Sequence, residues 1–182
     1  MSDVSLTNIE KLMVGLSWDP NDKKEGVLDE SIVPHNLDVS CVVLSVDKQI
    51  IDVIKPNETM REKYKNQIFH LGDHLSGGSD FEDEEIQVSL QNLNNDIGYL
   101  LFVVSANGKV GLADAQNGVC AFLDGVSLSP LLSVNLSKTP GQQCVAGVVS
   151  RDGENGWTLR SLSAANVEAD GQDLVDAVKD QF

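Results

Sequence analysis

Short runs rich in Val, Leu and Ile recur at roughly ten-residue spacing along most of this chain, separated by Gly, Pro, Asn and Asp, and that spacing favours strands over long helices. The runs are KLMVGLSW (11–18), LDVSCVVLSV (37–46), IIDVI (50–54), NQIFHL (66–71), EIQVSL (85–90), GYLLFVVSA (98–106), GVCAFL (118–123), LLSVNL (131–136), QCVAGVV (143–149) and GWTLRSL (156–162). Aromatic residues make up only 5% of the chain, so the core must come mainly from aliphatic, β-compatible side chains. RDGENG between the last two runs reads as a hairpin turn. Two segments suit helices: NETMREKYKN (57–66), with Asn57 as a cap, and GQDLVDAVKDQF, in which Leu174, Val175 and Val178 share a face. About nine strands and two helices predict an all-β fold with minor helices. The expected form is a β-sandwich of two mainly antiparallel sheets, in one domain over 1–182 with a helical tail at about 170–182.

Charge narrows the choice of partners. The formal net charge is −15, from 28 acidic and 13 basic side chains. Such a surface repels phosphate backbones and anionic headgroups, which argues against nucleic-acid and membrane partners. No apolar run reaches the length of a membrane span, and MSDVSLTNIEKLM lacks the basic-then-apolar order of a secretory signal. Cys41, Cys120 and Cys144 are far apart and sit inside apolar runs, which predicts buried free thiols in a cytoplasmic protein.

LGDHLSGGSDFEDEEIQVSL (71–90) places Asp73, Asp80, Glu82, Asp83, Glu84 and Glu85 close together, and no Lys or Arg occurs between Lys65 and Lys109. Such a loop is either splayed into water or wrapped around a cation. Ca²⁺ takes six to eight oxygens, and Gly72, Gly77 and Gly78 permit the sharp turns that would gather them. The spacing is not that of an EF-hand. His70 and His74 have the separation of a helical zinc pair, but Gly72 lies between them in a strand-to-loop pattern. There is no G-x-S-x-G, P-loop or G-x-G-x-x-G, so no nucleophile or nucleotide motif points to an enzyme. Trp18 and Trp157 fall in strand patterns and are expected in the core, while Asp170, Asp173, Asp176 and Asp180 read as the solvated face of the last helix.

GDHLSGGSDFEDEEIQVSL resembles the GDN-x-TGEGDGDDE signature of the TerD family of stress and tellurite-resistance proteins. Gly72, Asp73, Gly77, Asp80, Asp83 and Glu84 match it identically, and Glu82 replaces an Asp. KLMVGLSWDP, LDVSCVVLSVDKQI, GVCAFLDG and GENGWTLRSL resemble further segments of the family in collinear order. The resemblance implies a β-sandwich that binds Ca²⁺, typically as two ions, without enzymatic activity. The implied ligands are Asp38, Asp73, Asp80, Glu82, Asp83 and Glu84, with Asn36 offering an amide oxygen where the family has an Asp. His74 replaces an Asn and Phe81 a Gly, so a one-ion or weakened site is expected. The expected function is that of a calcium-binding, non-enzymatic stress-response protein. In it Ca²⁺ orders the acidic loop for a protein partner of unknown identity. The alternatives are a degenerate, metal-free interaction module and a Mg²⁺- or Mn²⁺-dependent hydrolase using the same carboxylates.

Overall fold

Alternating apolar residues need a partner surface on one side of each strand, and two sheets facing each other supply it. The structure is a computed structural model that describes residues 3–20, 35–57, 62–75, 77–78, 82–153, 156–162 and 167–182. The described strands are β1 (Asp3–Ser5), β2 (Lys11–Ser17), β3 (Leu37–Ser45), β4 (Ile50–Ile54), β5 (Ile68–His70), β6 (Glu84–Ser89), β7 (Ile97–Ala106), β8 (Val119–Asp124), β9 (Pro130–Asn135), β10 (Gln143–Asp152) and β11 (Gly156–Ser161). One sheet runs β1-β11-β10-β7-β3-β4 and the other β5-β6-β2-β8-β9. Neighbouring strands pair antiparallel throughout, for instance Cys41 opposite Phe102 and Gly15 opposite Ala121. The expected sandwich of two antiparallel sheets is therefore what the chain forms.

Strand parity assigns each face. Val39, Cys41 and Val43 of β3 point between the sheets, where they meet Leu12, Val14 and Leu16 of β2 and Ile86 and Val88 of β6. Asp38, Ser40, Val42 and Leu44 therefore lie on the outer face of the six-stranded sheet. Part of that face is covered by the one α-helix among the described residues, α1 (Gly171–Val178), whose Leu174, Val175 and Val178 pack on Val42, Leu44, Leu101, Val103, Val145 and Val148. Gln143 pins the approach to α1 by donating from Nε2 to the carbonyls of Val167 and Ala169, both at 2.8 Å. All three cysteines are buried and free, and Trp18 and Trp157 are buried in the core.

Of the helix read over 57–66, residues 58–61 lie outside the described residues, and Glu62–Tyr64 form a 3-10 turn. An unexpected strand, β1, joins the sheet edge by pairing with β11, held by Arg160, which donates to both carboxylate oxygens of Asp3 at 2.7 Å. Three residues are too few for alternation to show, so only the pairing reveals the strand.

Phe102 and Phe122 bridge the sheets edge to face, with centroids 5.5 Å apart. The ladder between β7 and β10 shifts register between Val145 and Gly147, and a Cβ on Gly147 would sit 2.8 Å from Phe122 Cζ. Gly147→Ala is therefore expected to overpack this junction and destabilise the fold by about 1–3 kcal/mol. Denaturant unfolding measures it, and an unchanged midpoint would show that the Phe122 ring yields freely.

Candidate metal centre

The site begins with an open strand edge. β4 pairs with β3 only from Cys41 onward, opposite Ile54, so among the described residues no strand pairs with Val39 on that side. Two side chains from the facing sheet take its place. Glu84 Oε2 accepts from the Val39 N–H at 2.9 Å, and His70 Nε2 donates to the Val39 carbonyl at 2.9 Å. His70 Nδ1 accepts from the Gly72 N–H at 3.1 Å, which leaves the proton on Nε2. Parity explains both side chains: Glu84 shares the inward face of β6 with Ile86 and Val88, and His70 shares that of β5 with Ile68. Both are almost fully buried.

Asp38, Asp73 and Glu84 converge here, each offering an oxygen within 4.8 Å of the others. Asp38 comes from the outer face of β3, Glu84 from between the sheets, and exposed Asp73 from the loop after β5. Asp38 Oδ2 accepts from Asn107 Nδ2 at 2.7 Å. Asp38 Oδ1 and Glu84 Oε1 are buried without a hydrogen-bond partner among the described residues. Half-buried Asp38 and buried Glu84 thus each have one oxygen fixed by a hydrogen bond and one left over, an arrangement that suits a cation with oxygen ligands.

Electrostatics agree with the geometry. Burial pushes Glu84 up to about 8, opposed by the Val39 amide and reinforced by Asp38 and Asp73. Burial also raises Asp38, opposed by the hydrogen bond from Asn107 and reinforced by Asp73. Burial holds His70 below its ordinary value, against the pull of the Val39 hydrogen bond. Near neutral pH, a proton on Glu84 relieves the repulsion that a divalent cation would otherwise neutralise.

Of the other expected ligands, Glu82 and Asp83 are not members of this cluster. Asp83 Oδ2 accepts from the Trp18 N–H at 2.9 Å, and Oδ1 lies 3.7 Å from His74 Nδ1. Glu82 lies across Gly15, whose added Cβ would meet Glu82 Cγ at 2.5 Å. Burial raises its pKa, with Asp83 and Glu85 adding to the effect. Asn36 Oδ1 is buried without a hydrogen-bond partner among the described residues, but Asn36 is not one of the clustered carboxylates. Asp80 and Phe81 lie outside the described residues. The glycines do provide the turn: Gly77 and Gly78 have φ of +71° and +80°, and the Gly78 N–H donates to the Trp18 carbonyl at 3.0 Å. His70 lies in a strand with both ring nitrogens engaged, so it is not half of a helical zinc pair.

Beside the trio, on the outer face of the six-stranded sheet, lies an open cleft of about 590 Å³. Asp38, Asp73, Ser40, Lys55, Val103 and Leu174 are among its lining residues. Sequence reasoning missed Lys55 as a lining residue of this cleft because nothing local to it marks where β4 ends beside β3. It missed Asn107 and the role of His70 because both depend on how strand edges meet.

The TerD domain matches residues 2–170 of the chain. The chain is similar to the tellurium resistance protein TerZ of Serratia marcescens, at 33% identity over 122 residues, covering 64% of this chain and 60% of that protein. It is also similar to the stress response protein SCP2 of Bacillus subtilis (strain 168), at 27% identity over 138 residues, covering 70% of this chain and 68% of that protein. The chain thus spans less than two thirds of TerZ. Neither relative is named as an enzyme. Among solved structures, a homologue of the telluride resistance protein TerD from Streptomyces coelicolor A3(2) superposes with a TM-score of 0.73 at 18% identity, over 92% of this chain and 95% of that one. At that identity the likeness speaks for the fold alone. No helix among the described residues is long and apolar enough to cross a membrane.

The Glu84 carboxyl supplies a pH test. Its folded pKa is about 8 against an ordinary 4.5, so its contribution to stability is fully present below about 4.5 and is lost as pH rises to about 8. Glu84→Gln, which still accepts from Val39, should gain stability over the wild type across that window when both are in EDTA. The gain should reach on the order of 4–5 kcal/mol by pH 9. Melting curves at pH 5, 7 and 9 check it, and a difference that does not change with pH would contradict the buried-carboxyl assignment. His70, held below its ordinary value, contributes the opposite dependence, fully present above about 6.5 and lost as pH falls below it, so the Glu84 effect is read from pH 7 upward.

Proposed function

This chain belongs to the TerD family, and from that premise we propose that it is a cytoplasmic, non-enzymatic stress-response protein that binds Ca²⁺ at Asp38, Asp73 and Glu84. The observation that carries the reading is the pair of buried oxygens, Asp38 Oδ1 and Glu84 Oε1, without a hydrogen-bond partner among the described residues and beside a third carboxylate. An all-oxygen donor set favours a hard cation. Attachment of Asp73 to a glycine-bearing loop favours Ca²⁺ over Mg²⁺, which demands tighter octahedral geometry.

Three carboxylates supply fewer than the six to eight oxygens that Ca²⁺ takes, so water and further protein oxygens complete the shell. Asn36 is a candidate because its buried amide oxygen is unpartnered among the described residues. Asp80, Glu82 and Asp83 remain candidates for a second ion on the same loop. A bound Ca²⁺ supplies the positive charge that lets all three clustered carboxylates ionise together. The chain's own residues do the rest: Glu84 and His70 hold the edge of β3, Asn107 orients Asp38, and Asp73 ties the acidic loop to that edge. Ordered in this way, the loop and the adjoining cleft form a fixed surface for a protein partner. The fold is proposed to act as one domain.

A metal-free interaction module is favoured by one observation, the raised pKa of Glu84, because a retained proton can stand in for the ion. Thermal unfolding separates the two readings. About 1 mM Ca²⁺ should raise Tm by several degrees over EDTA, with a smaller effect of Mg²⁺, since about 1 kcal/mol moves Tm by roughly 2–4 °C at this size. Asp73→Asn should melt near the wild type in EDTA, because Asp73 is exposed, and should lose most of the Ca²⁺ response. Equal melting in EDTA and Ca²⁺ would reject the calcium reading in favour of the metal-free module.

A further inference from the structure

His70 offers no free nitrogen to the three carboxylates, because both ring nitrogens are engaged within the protein. It nevertheless holds the peptide on which two of the carboxylates depend. Asp38 immediately precedes Val39 in the chain, and Glu84 accepts from the Val39 N–H. The Val39 carbonyl is held by His70 Nε2, which also lies 3.9 Å from Glu84 Oε2. The Gly72 N–H fixes the ring from the other side, and Gly72 directly precedes Asp73. One buried imidazole therefore spans the backbone beside Asp38 and the backbone beside Asp73, while Glu84 shares the Val39 peptide with it.

We infer that His70 is a positioning residue for the metal centre, joining the open edge of β3 to the loop after β5 so that Asp38, Asp73 and Glu84 arrive together. The inference rests on the Ca²⁺ reading proposed above. It assigns His70 a role through hydrogen bonds and none as a ligand. Residues that orient metal ligands in this way commonly change affinity by about 10–100-fold when replaced.

Two near-isosteric variants separate the two hydrogen bonds. His70→Gln can place an amide nitrogen near Nε2 and keep the bond to the Val39 carbonyl. His70→Asn can accept from Gly72 but is too short to reach Val39. Ile86→Val trims the buried residue paired with His70 without touching either bond, and serves as the packing control. Calorimetric titration with Ca²⁺ is expected to show about 10–100-fold weaker binding for His70→Asn. His70→Gln, which keeps only the bond to Val39, should recover part of that loss, and Ile86→Val should bind as the wild type does. Hydrogen exchange at the Val39 amide should slow on Ca²⁺ addition in the wild type and His70→Gln, and less in His70→Asn. Wild-type affinity in His70→Asn, or equal weakening in His70→Asn and Ile86→Val, would reduce His70 to a packing residue and overturn the inference. If the wild type itself shows no Ca²⁺ binding, the calcium reading fails and this inference fails with it. Normal wild-type binding with unaffected His70→Asn defeats only the inference.

Discussion

Three carboxylates that can bring oxygens within 4.8 Å of one another cannot all be charged at little cost. At an effective dielectric of about 20, each pair at that separation repels by roughly 3 kcal/mol. Burial of Glu84 sharpens the penalty, because its charge has little water to fall back on. A proton on Glu84 relieves that repulsion, and on the reading proposed above an ion would do the same. A cation would then have to displace the Glu84 proton near neutral pH, which would couple metal affinity to pH.

The same cluster sits where the sandwich would otherwise be incomplete. β4 is too short to cover the whole of β3, and a bare Val39 peptide near the core would leave a donor and an acceptor unsatisfied. Glu84 and His70 satisfy them from the opposite sheet. A metal at the neighbouring oxygens would therefore strengthen a junction between the two sheets as well as ordering a loop. Trp18 extends the junction: its backbone N–H is held by Asp83, its carbonyl accepts from Gly78, and its indole N–H donates to the His35 carbonyl at 2.8 Å. Asp83 thus has an evident structural task beside whatever part it takes in holding an ion.

The strands were legible because burial imposes a two-residue period, and the runs at 37–46, 98–106 and 143–149 became β3, β7 and β10 nearly as read. The helical face of Leu174, Val175 and Val178 was legible for the corresponding reason at a longer period. Of the acidic run, the sequence offered charge density but treated its members alike. Parity held more information: Glu84 alternates with Ile86 and Val88 and so points inward, whereas Glu85 falls on the opposite face. The convergence of Asp38 with Asp73 and Glu84 followed from the family resemblance, not from spacing. Asn107, Lys55 and the double role of His70 left no local pattern, because each depends on which strand ends first.

The most direct test is a crystal structure of the protein grown in millimolar Ca²⁺. The account predicts an ion within about 2.3–2.6 Å of Asp38 Oδ1, Glu84 Oε1 and a carboxylate oxygen of Asp73, with His70 still holding Val39. An ion bound elsewhere on the acidic loop, or the three carboxylates bridged only by water or by Lys55 in the presence of Ca²⁺, would contradict it.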